Sequence, residues 1–186
     1  MKLNIGCGFS KAEGFLNLDK YPACKPDQVM DAEVRPWPFD DNSVDEVLFN
    51  HSLEHMGADT EVFLGLLQEL YRVCKPGAKV QINVPHPWHD NFINDPTHVR
   101  IITPVMFTLF SKRICNEWVA QGVPNTALAL YLDVDFEVRG TNVFLEERHL
   151  SRLSSGEISY EQVSQLMRVE NNVVLETHIE LEVIKA

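Results

Sequence analysis

Short blocks of hydrophobic residues alternate with polar segments along the first 85 positions, and these blocks predict the strands of a parallel sheet. They occupy residues 2–5, 14–19, 28–31, 44–50 and 79–84. Residues 44–50 end in a nearly continuous apolar run, which is typical of a strand buried on both faces. Loops at the carboxyl ends of such strands usually bind ligands.

Apolar residues at a spacing of three or four predict three helices. The first lies between the last two of these strands and carries an apolar stripe made of Phe63, Leu66, Leu67, Leu70 and Cys74. Residues 75–77, Lys-Pro-Gly, are expected to end it. Residues 105–120, with Phe107, Phe110 and Ile114 on one side, and residues 160–169, with Val163, Leu166 and Met167, predict two more.

The C-terminal third of the chain changes to a period of two. Residues 136–138 and 142–145 are predicted strands, and residues 175–183 alternate apolar side chains with Glu and His. A strand with one charged face is typical of an antiparallel edge. The chain therefore predicts an α/β fold with right-handed crossovers and antiparallel C-terminal strands.

Composition limits the classes of function. The 186 residues suit one domain, 1–186, and the net charge of −11 argues against broad binding to a nucleic-acid backbone. No segment approaches the roughly 20 apolar residues of a membrane span. The start, MKLNIGCG, enters a predicted strand at once, so we expect no signal peptide and a cytoplasmic protein. The four cysteines have no zinc-ligand spacing and are expected to be reduced thiols.

The segment LNIGCGFSKAEGFLNLD combines a glycine turn with a carboxylate at the end of the next predicted strand. Glycine lets a ligand approach the backbone of Gly6 and Gly8, and Asp19 is placed to accept hydrogen bonds from a ribose diol. A dinucleotide fingerprint requires a third glycine where Lys11 stands, and the helix that would hold a pyrophosphate is nearly absent. A cofactor with a ribose and no phosphate fits better, and S-adenosylmethionine is such a molecule.

Six motifs in order carry a resemblance to a known family: LNIGCG, FLNLD, PFDDNSVDEV, HSLEH, LYRVCKPGA and VPHP. Together they resemble the class I S-adenosylmethionine-dependent methyltransferases over roughly residues 2–110. The nearest likeness is to a small subgroup of predicted methyltransferases with a shortened first helix. The resemblance implies a Rossmann-like three-layer sandwich, mostly parallel with an antiparallel C-terminal strand pair, and S-adenosylmethionine as the cofactor.

The resemblance also implies roles for individual residues on the cofactor side. Gly6, Cys7 and Gly8 correspond to the turn beneath the methionine moiety, and Asp19 corresponds to the ribose-binding carboxylate. The remaining positions are Asn4 as the nearest polar candidate for the ammonium group, Asp31 with Ala32 for the adenine, and Asn50 for the methionine end or the substrate. Alternative readings are turn capping for Asp19, an Asx turn for Asp31, a tight turn for the glycines and packing for Trp37 and Phe39.

A segment rich in His and Asp, at about residues 85–104, is the expected substrate-side loop insertion. The substrate-side candidates are His86, Trp88, His89 and Asp95, and the catalytic candidates are His98 and His51. A histidine titrates near neutral pH and can take a proton from a hydroxyl or amine. Glu54 and His55 are common in the resembling family, which favours a structural or cofactor-side role. The three His and two Asp of this loop are adequate metal ligands, so a metal site is an alternative, but their spacing fits no standard site and no metal is predicted.

The leading hypothesis is a methyltransferase acting on a small molecule or on a sugar or glycan. The first alternative is a non-catalytic S-adenosylmethionine-binding protein that acts through partner contacts. A homodimer is compatible with the sheet surface that lacks a cover. The second alternative function is a protein or nucleic-acid methyltransferase, which requires basic residues around 112–113 and 148–152 to line the cleft. The third and most remote alternative function is a nicotinamide-dependent enzyme.

Overall fold

The computed structural model describes residues 1–185 and contains one seven-stranded sheet in the order β3-β2-β1-β4-β5-β7-β6. The strands are β1 (Lys2–Ile5), β2 (Leu16–Asp19), β3 (Gln28–Val29), β4 (Val44–Asn50), β5 (Cys74–Pro85), β6 (Phe136–Leu145) and β7 (Val174–Val183). The first five are parallel, and β7 pairs antiparallel with both β5 and β6. The predicted Rossmann-like architecture is confirmed.

The helices are α1 (Thr60–Val73), α2 (Asp90–Ile93), α3 (Lys112–Gln121), α4 (Leu128–Leu132), α5 (Glu147–Ser154) and α6 (Tyr160–Val169). Three 3₁₀ helices occupy Pro22–Cys24, Leu53–His55 and Val105–Phe110. Among residues 1–185, none of the helices combines the length and the apolar character that a membrane span requires.

The core lies on one face of the sheet, where α1 packs. Val47, Phe49, Val80 and Ile82 point to this face and are fully buried together with Leu66 of α1. Asp59 caps α1 by accepting hydrogen bonds from the first backbone N–H groups of the helix. The stripe that the sequence predicts is therefore the face that holds the helix against the sheet.

The opposite face of the central strands is polar and partly exposed. Gln81 of β5 donates a hydrogen bond to Glu46 of β4, and Lys79 pairs with Glu180 of β7. Among the described residues, the segments that connect β1 to β4 contain one helix, the short 3₁₀ helix Pro22–Cys24. Polar side chains suit a face that these connections leave in contact with water. The subgroup assignment, based on a shortened first helix, remains a prediction.

Several predicted boundaries are wrong. The helix expected over 105–120 is broken at Ser111, whose hydroxyl accepts from Ile114 N and caps α3. Residues 75–77 do not end α1; the helix stops at Val73, and they belong to β5. The strand at 175–183 was expected at an edge, whereas β7 lies between β5 and β6. The predicted pieces 136–138 and 142–145 are one strand, β6, which occupies the edge.

Candidate functional site

The parallel register brings the carboxyl ends of β1, β2 and β4 to one edge of the sheet. Ile5 pairs with Leu18, and the backbone N–H of Gly6 donates to Leu18 O at 2.8 Å. The segment after β4 continues with Asn50 and His51, and His51 N donates to Asn83 O. Residues that the sequence separates into three motifs therefore share one edge.

The turn after β1 depends on two glycines for different reasons. Gly6 has φ +70°, and a β-carbon there would lie 2.5 Å from Ser52 Cβ, so both its conformation and its neighbour require glycine. Gly8 has φ +50°, and a β-carbon there would have nothing within 4 Å. Between them Cys7 is buried, and this burial raises the pKa of its thiol. A side chain at position 6 would therefore clash with Ser52, whereas the space beside Gly8 is free of other protein atoms.

Asp19 lies at the end of β2 beside this turn, half-buried. Its Oδ2 accepts from Gly8 N at 2.7 Å, and its Oδ1 accepts from Tyr21 N at 2.8 Å. A carboxylate has about four acceptor positions, so both oxygens keep capacity for a further donor. The carboxylate both fixes the glycine turn and stays available at its rim.

The adenine-side candidates follow β3. Asp31 Oδ1 accepts from Glu33 N at 3.0 Å, the hydrogen bond of an Asx turn, and the carboxylate remains half-buried. Ala32 is buried, and its carbonyl accepts from the indole of Trp37 at 2.9 Å. Trp37 is 2% exposed, so its side chain packs in the core, which is the alternative that the sequence analysis gives for it.

Asn4 is buried, and its two amide atoms differ in their contacts. It is 1% exposed, and its Nδ2 donates to Asn17 Oδ1 at 2.9 Å and to Ser10 O at 3.2 Å. Asn4 therefore ties β1 to β2 and to the segment after the glycines. Its Oδ1 is buried without a hydrogen-bond partner, so an acceptor remains at this position and the assignment to a ligand's ammonium group stays a prediction.

The two catalytic candidates from separate motifs meet in one cavity, which we name the histidine pocket. Its volume is about 280 Å³. It is lined by His51, Glu54, His55, Pro85, Asn91, His98, Leu175 and Glu176. The four side chains His51, Glu54, His55 and His98 thus share a wall, although two of them were expected to be structural or cofactor-side.

In the described part of the chain, Glu54 is the acidic side chain whose burial is least compensated by hydrogen bonds. It is 1% exposed, and neither carboxylate oxygen has a hydrogen-bond partner. Burial, with a smaller effect from nearby Asp95, raises the pKa of the Glu54 carboxyl to about 7. The backbone carbonyl of Glu54, in contrast, accepts from both Val99 N and Arg100 N and holds the following loop in place.

The histidines around Glu54 have fixed orientations. His98 Nδ1 donates to the carbonyl of Phe92 at 2.9 Å, which leaves Nε2 4.0 Å from Glu54 Oε1. His51 Nε2 lies 2.9 Å from Glu176 Oε2, and its Nδ1 lies 3.9 Å from the same Glu54 oxygen. His51 also has φ +51°, a left-handed conformation that non-glycine residues adopt at a cost.

His55 is oriented through a chain of hydrogen bonds. Thr97 Oγ1 donates to Asp95 Oδ1 at 2.6 Å and lies 2.9 Å from His55 Nδ1. Because the hydroxyl proton goes to Asp95, Thr97 accepts from His55 Nδ1–H, and Nε2 keeps its lone pair. Burial, and secondly the neighbouring His98, lowers the pKa of His55. Asp95 thus acts through Thr97, with its carboxylate 3.7 Å from His98 Nε2.

A second, larger cavity has a volume of about 420 Å³. Its lining comprises His86, Pro87, Trp88, Ile101, Ile102, Thr103, Pro104, Val143 and Thr177, so it is mostly apolar. The predicted substrate-side residues His86 and Trp88 are both here, and burial lowers the pKa of His86. We name it the tryptophan pocket.

His89, also a substrate-side candidate, lines neither pocket. It is 3% exposed, its Nε2 donates to Glu146 Oε1 at 2.9 Å, and its Nδ1 accepts from Asn91 N at the start of α2. Both ring nitrogens are used, so His89 holds the loop to α5. Asn50 likewise accepts from Asn83 Nδ2 at 2.9 Å and links β4 to β5.

Glu176 is the pocket residue that sequence reasoning missed. The period-two pattern of β7 indicates a charged face, but it does not show that this face ends against His51. Glu176 Oε2 lies 2.9 Å from His51 Nε2, and Glu176 Oε1 lies 2.8 Å from His178 Nε2. The only local signal was a glutamate at the start of an amphipathic strand.

Comparisons with known proteins agree on the class of fold. Residues 7–82 match the family described as methyltransferase domain. A SAM-dependent methyltransferase from Archaeoglobus fulgidus is 22% identical, with a TM-score of 0.63, over 97% of this chain and 85% of that one. A search of curated protein sequences finds no significant match.

Two further solved structures show how widely the fold is used. A SAM-dependent methyltransferase from Methanosarcina mazei is 14% identical with a TM-score of 0.58, covering 100% of this chain and 92% of that one. The [4+2]-cyclase SpnF is also 14% identical, with a TM-score of 0.56, covering 100% of this chain and 75% of that one. At these identities the likeness concerns the fold.

Proposed function

We propose that this chain is a class I S-adenosylmethionine-dependent methyltransferase and that it methylates a hydroxyl oxygen of a small polar acceptor, with a sugar as the first candidate. The observation that carries the proposal is the histidine pocket. It places His51, Glu54 and His98 together, directly after the strand that borders the glycine turn.

The residues at the sheet edge fit the cofactor. The open space above Gly8, which a side chain would fill, suits the methionine moiety, with Cys7 buried between the glycines. The half-buried Asp19 would take the ribose hydroxyls, and Asp31 with the backbone at Ala32 would border the adenine. The bound cofactor supplies a methyl group already activated on a sulfonium.

The lining of the two pockets supports a small polar acceptor that carries an apolar or ring-shaped part. The histidine pocket offers imidazole, carboxylate and amide groups within about 280 Å³, enough for a few hydroxyl groups. The tryptophan pocket adds an apolar wall with Trp88, which suits the face of a sugar ring or an attached apolar group. Two acidic side chains, Glu54 and Glu176, disfavour a phosphorylated acceptor.

A hydroxyl acceptor must lose a proton as its oxygen forms the new bond to carbon, so it needs a base. We assign this role to His51, because Glu176 accepts from its Nε2 and leaves Nδ1 facing the pocket. The bound cofactor would supply the methyl group, and Nδ1 of His51 would take the proton that the acceptor oxygen loses. Glu176 then stabilises the imidazolium. His98 would border the acceptor, and alignment would supply much of the rate.

A protein or nucleic-acid acceptor has less support, because three of the basic residues it requires pair with acidic side chains and the fourth, Arg148, donates to the carbonyl of Asn172. Lys112 pairs with Asp133, Arg113 with Glu117 and Glu137, and Arg152 with Glu157. None of these cations lines either pocket among the described residues. The alternative of a non-catalytic cofactor-binding protein is favoured by no specific contact, although the cyclase SpnF is a reminder that a shared fold leaves the reaction open.

The test is an acceptor screen with radiolabelled S-adenosylmethionine, using free sugars and other uncharged hydroxylated compounds in separate pools, with sugar nucleotides as the phosphorylated comparison. We expect label transfer to an oxygen of one uncharged class, and transfer at least about a hundredfold slower by His51→Asn. Transfer to a peptide or to RNA instead, or tight cofactor binding with no transfer to any pool, would overturn the proposed acceptor. Product analysis by mass spectrometry then identifies the methylated atom.

A further inference from the structure

We propose that Glu54, His55 and His98 bind one divalent transition-metal ion on the wall of the histidine pocket. One potential ligand atom from each side chain lies within 4.8 Å of the others. A tetrahedral site with bonds near 2.1 Å places its ligand atoms roughly 3.4 Å apart. Small side-chain rotations would bring the ligand atoms from within 4.8 Å of one another to this spacing.

The strongest observation is the state of Glu54. Its side chain is 1% exposed and both oxygens lack a hydrogen-bond partner. Its Oε1 lies 4.0 Å from Nε2 of His98, one of the two proposed histidine ligands, and 3.9 Å from Nδ1 of His51. An unpaired buried carboxyl is costly unless a cation or hydrogen-bond donors satisfy it. Among the described residues no lysine or arginine pairs with it, and the nearest ring nitrogens of His51 and His98 remain 3.9 and 4.0 Å away.

The two imidazoles are oriented as metal ligands usually are. A ligating histidine generally donates its second ring N–H to a carbonyl or carboxylate, which fixes the tautomer. His98 Nδ1 donates to Phe92 O, and His55 Nδ1 donates to Thr97, which in turn donates to Asp95. Each therefore presents an Nε2 lone pair. The ring of Phe92 stacks on His98 at 5.1 Å and restricts its rotation.

The set of ligands selects the class of metal. Two imidazoles and one carboxylate suit Zn²⁺, Fe²⁺ or Co²⁺, whereas Mg²⁺ and Ca²⁺ prefer oxygen ligands. Three protein ligands leave a coordination position open, which is typical of catalytic sites. This position faces the histidine pocket, where the acceptor hydroxyl would bind and lose its proton more readily to His51. That last step rests on the proposed function, whereas metal binding does not.

The test is a calorimetric titration of the tag-free full chain, stripped with a chelator, with Zn²⁺ at pH 7.5. We expect one equivalent to bind with a micromolar or lower Kd. Glu54→Gln and His98→Asn should each weaken it at least about tenfold. The control is His86→Asn, which removes a histidine of the tryptophan pocket and should leave the affinity within twofold of wild type.

A flat titration, or equal affinity in wild type and both variants, would overturn the site. The first result would mean that an ordered water satisfies Glu54, and the second that Zn²⁺ binds exposed histidines. If a variant fails to fold, the visible spectrum of Co²⁺ in the wild-type chain decides, since protein nitrogen ligands change its d–d bands. The titration contains neither cofactor nor acceptor, so absence of methyl transfer leaves it unaffected. Full methyl transfer by the stripped chain would overturn only the catalytic use of the metal.

Discussion

Gly6 and Ser52 touch so closely that the end of β1 and the segment after β4 have no room for a β-carbon between them. A β-carbon on Gly6 would lie 2.5 Å from Ser52 Cβ, and Ser52 Oγ donates to Ile5 O at 2.7 Å. This contact fixes the glycine turn against the strand that leads into the histidine pocket. The geometry of the cofactor edge therefore depends on a pair of small residues from two motifs.

The first prediction concerns this contact. Gly6→Ala should lower the free energy of unfolding by roughly 1–3 kcal/mol more than Gly14→Ala does, because only Gly6 would also be overpacked. Gly14 is the matched control, since it has φ +80° and open space around it. Urea denaturation of both variants measures the difference, and equal losses would show that the Ser52 contact yields easily.

The second prediction concerns the ribose-binding assignment. Asp19→Asn and Asp19→Ala should weaken S-adenosylhomocysteine binding by at least the roughly 1.5–3 kcal/mol of a charge-assisted hydrogen bond, or about tenfold or more. Asn keeps the shape of the side chain and separates lost charge from a collapsed turn. Calorimetry measures the affinity, with the exposed Asp40→Ala as the control. Unchanged affinity in both Asp19 variants would refute the assignment.

The third prediction separates chemistry from cofactor binding. His51→Asn should lower kcat by about 10²–10⁴-fold while leaving S-adenosylhomocysteine affinity within twofold, because a base acts only on the acceptor. Asn tolerates the left-handed backbone at this position, so the fold should survive the change. Steady-state kinetics and calorimetry on the same sample provide both values. A parallel loss of affinity would mean that His51 belongs to the cofactor side.

The fourth prediction uses the raised pKa of Glu54. In the chelator-treated chain the carboxyl titrates at about 7, against an ordinary value of 4.5. The folded state therefore keeps a proton that the unfolded state has lost, and stability falls as the pH rises from about 4.5 through 7. Glu54→Gln lacks this titration and should be more stable than wild type at pH 8 by up to about 3 kcal/mol, but not at pH 4.

Thermal and urea unfolding at the two pH values measure this difference, with Glu13→Gln as an exposed control. Zn²⁺ should reduce this difference at pH 8 by at least about 1.4 kcal/mol, because it binds the wild-type chain at least about tenfold more tightly than the variant. A wild-type chain that loses no stability between pH 4 and pH 8 relative to the variant would show that Glu54 is solvated.

Local patterns predicted most of the regular structure because each depends on neighbours in the sequence. The run at residues 44–50 and the helix at residues 160–169 match β4 and α6. Errors occurred where a distant contact decided the outcome. Ser111 breaks the helix expected over 105–120 because its side chain caps α3 and donates to Glu137, a residue of β6. Residues 75–77 carry a turn composition but pair as a strand.

The order of elements, the glycine turn and the carboxylate at the end of β2 could be predicted from the amino acids alone, because strand periodicity and backbone sterics are local properties. Which polar groups meet depends on the packed fold: His51 with Glu176, His98 with Glu54, and His89 with Glu146. Each pair joins residues that are far apart in the chain. Its distance depends on how the strands and loops pack, which no single stretch of sequence contains.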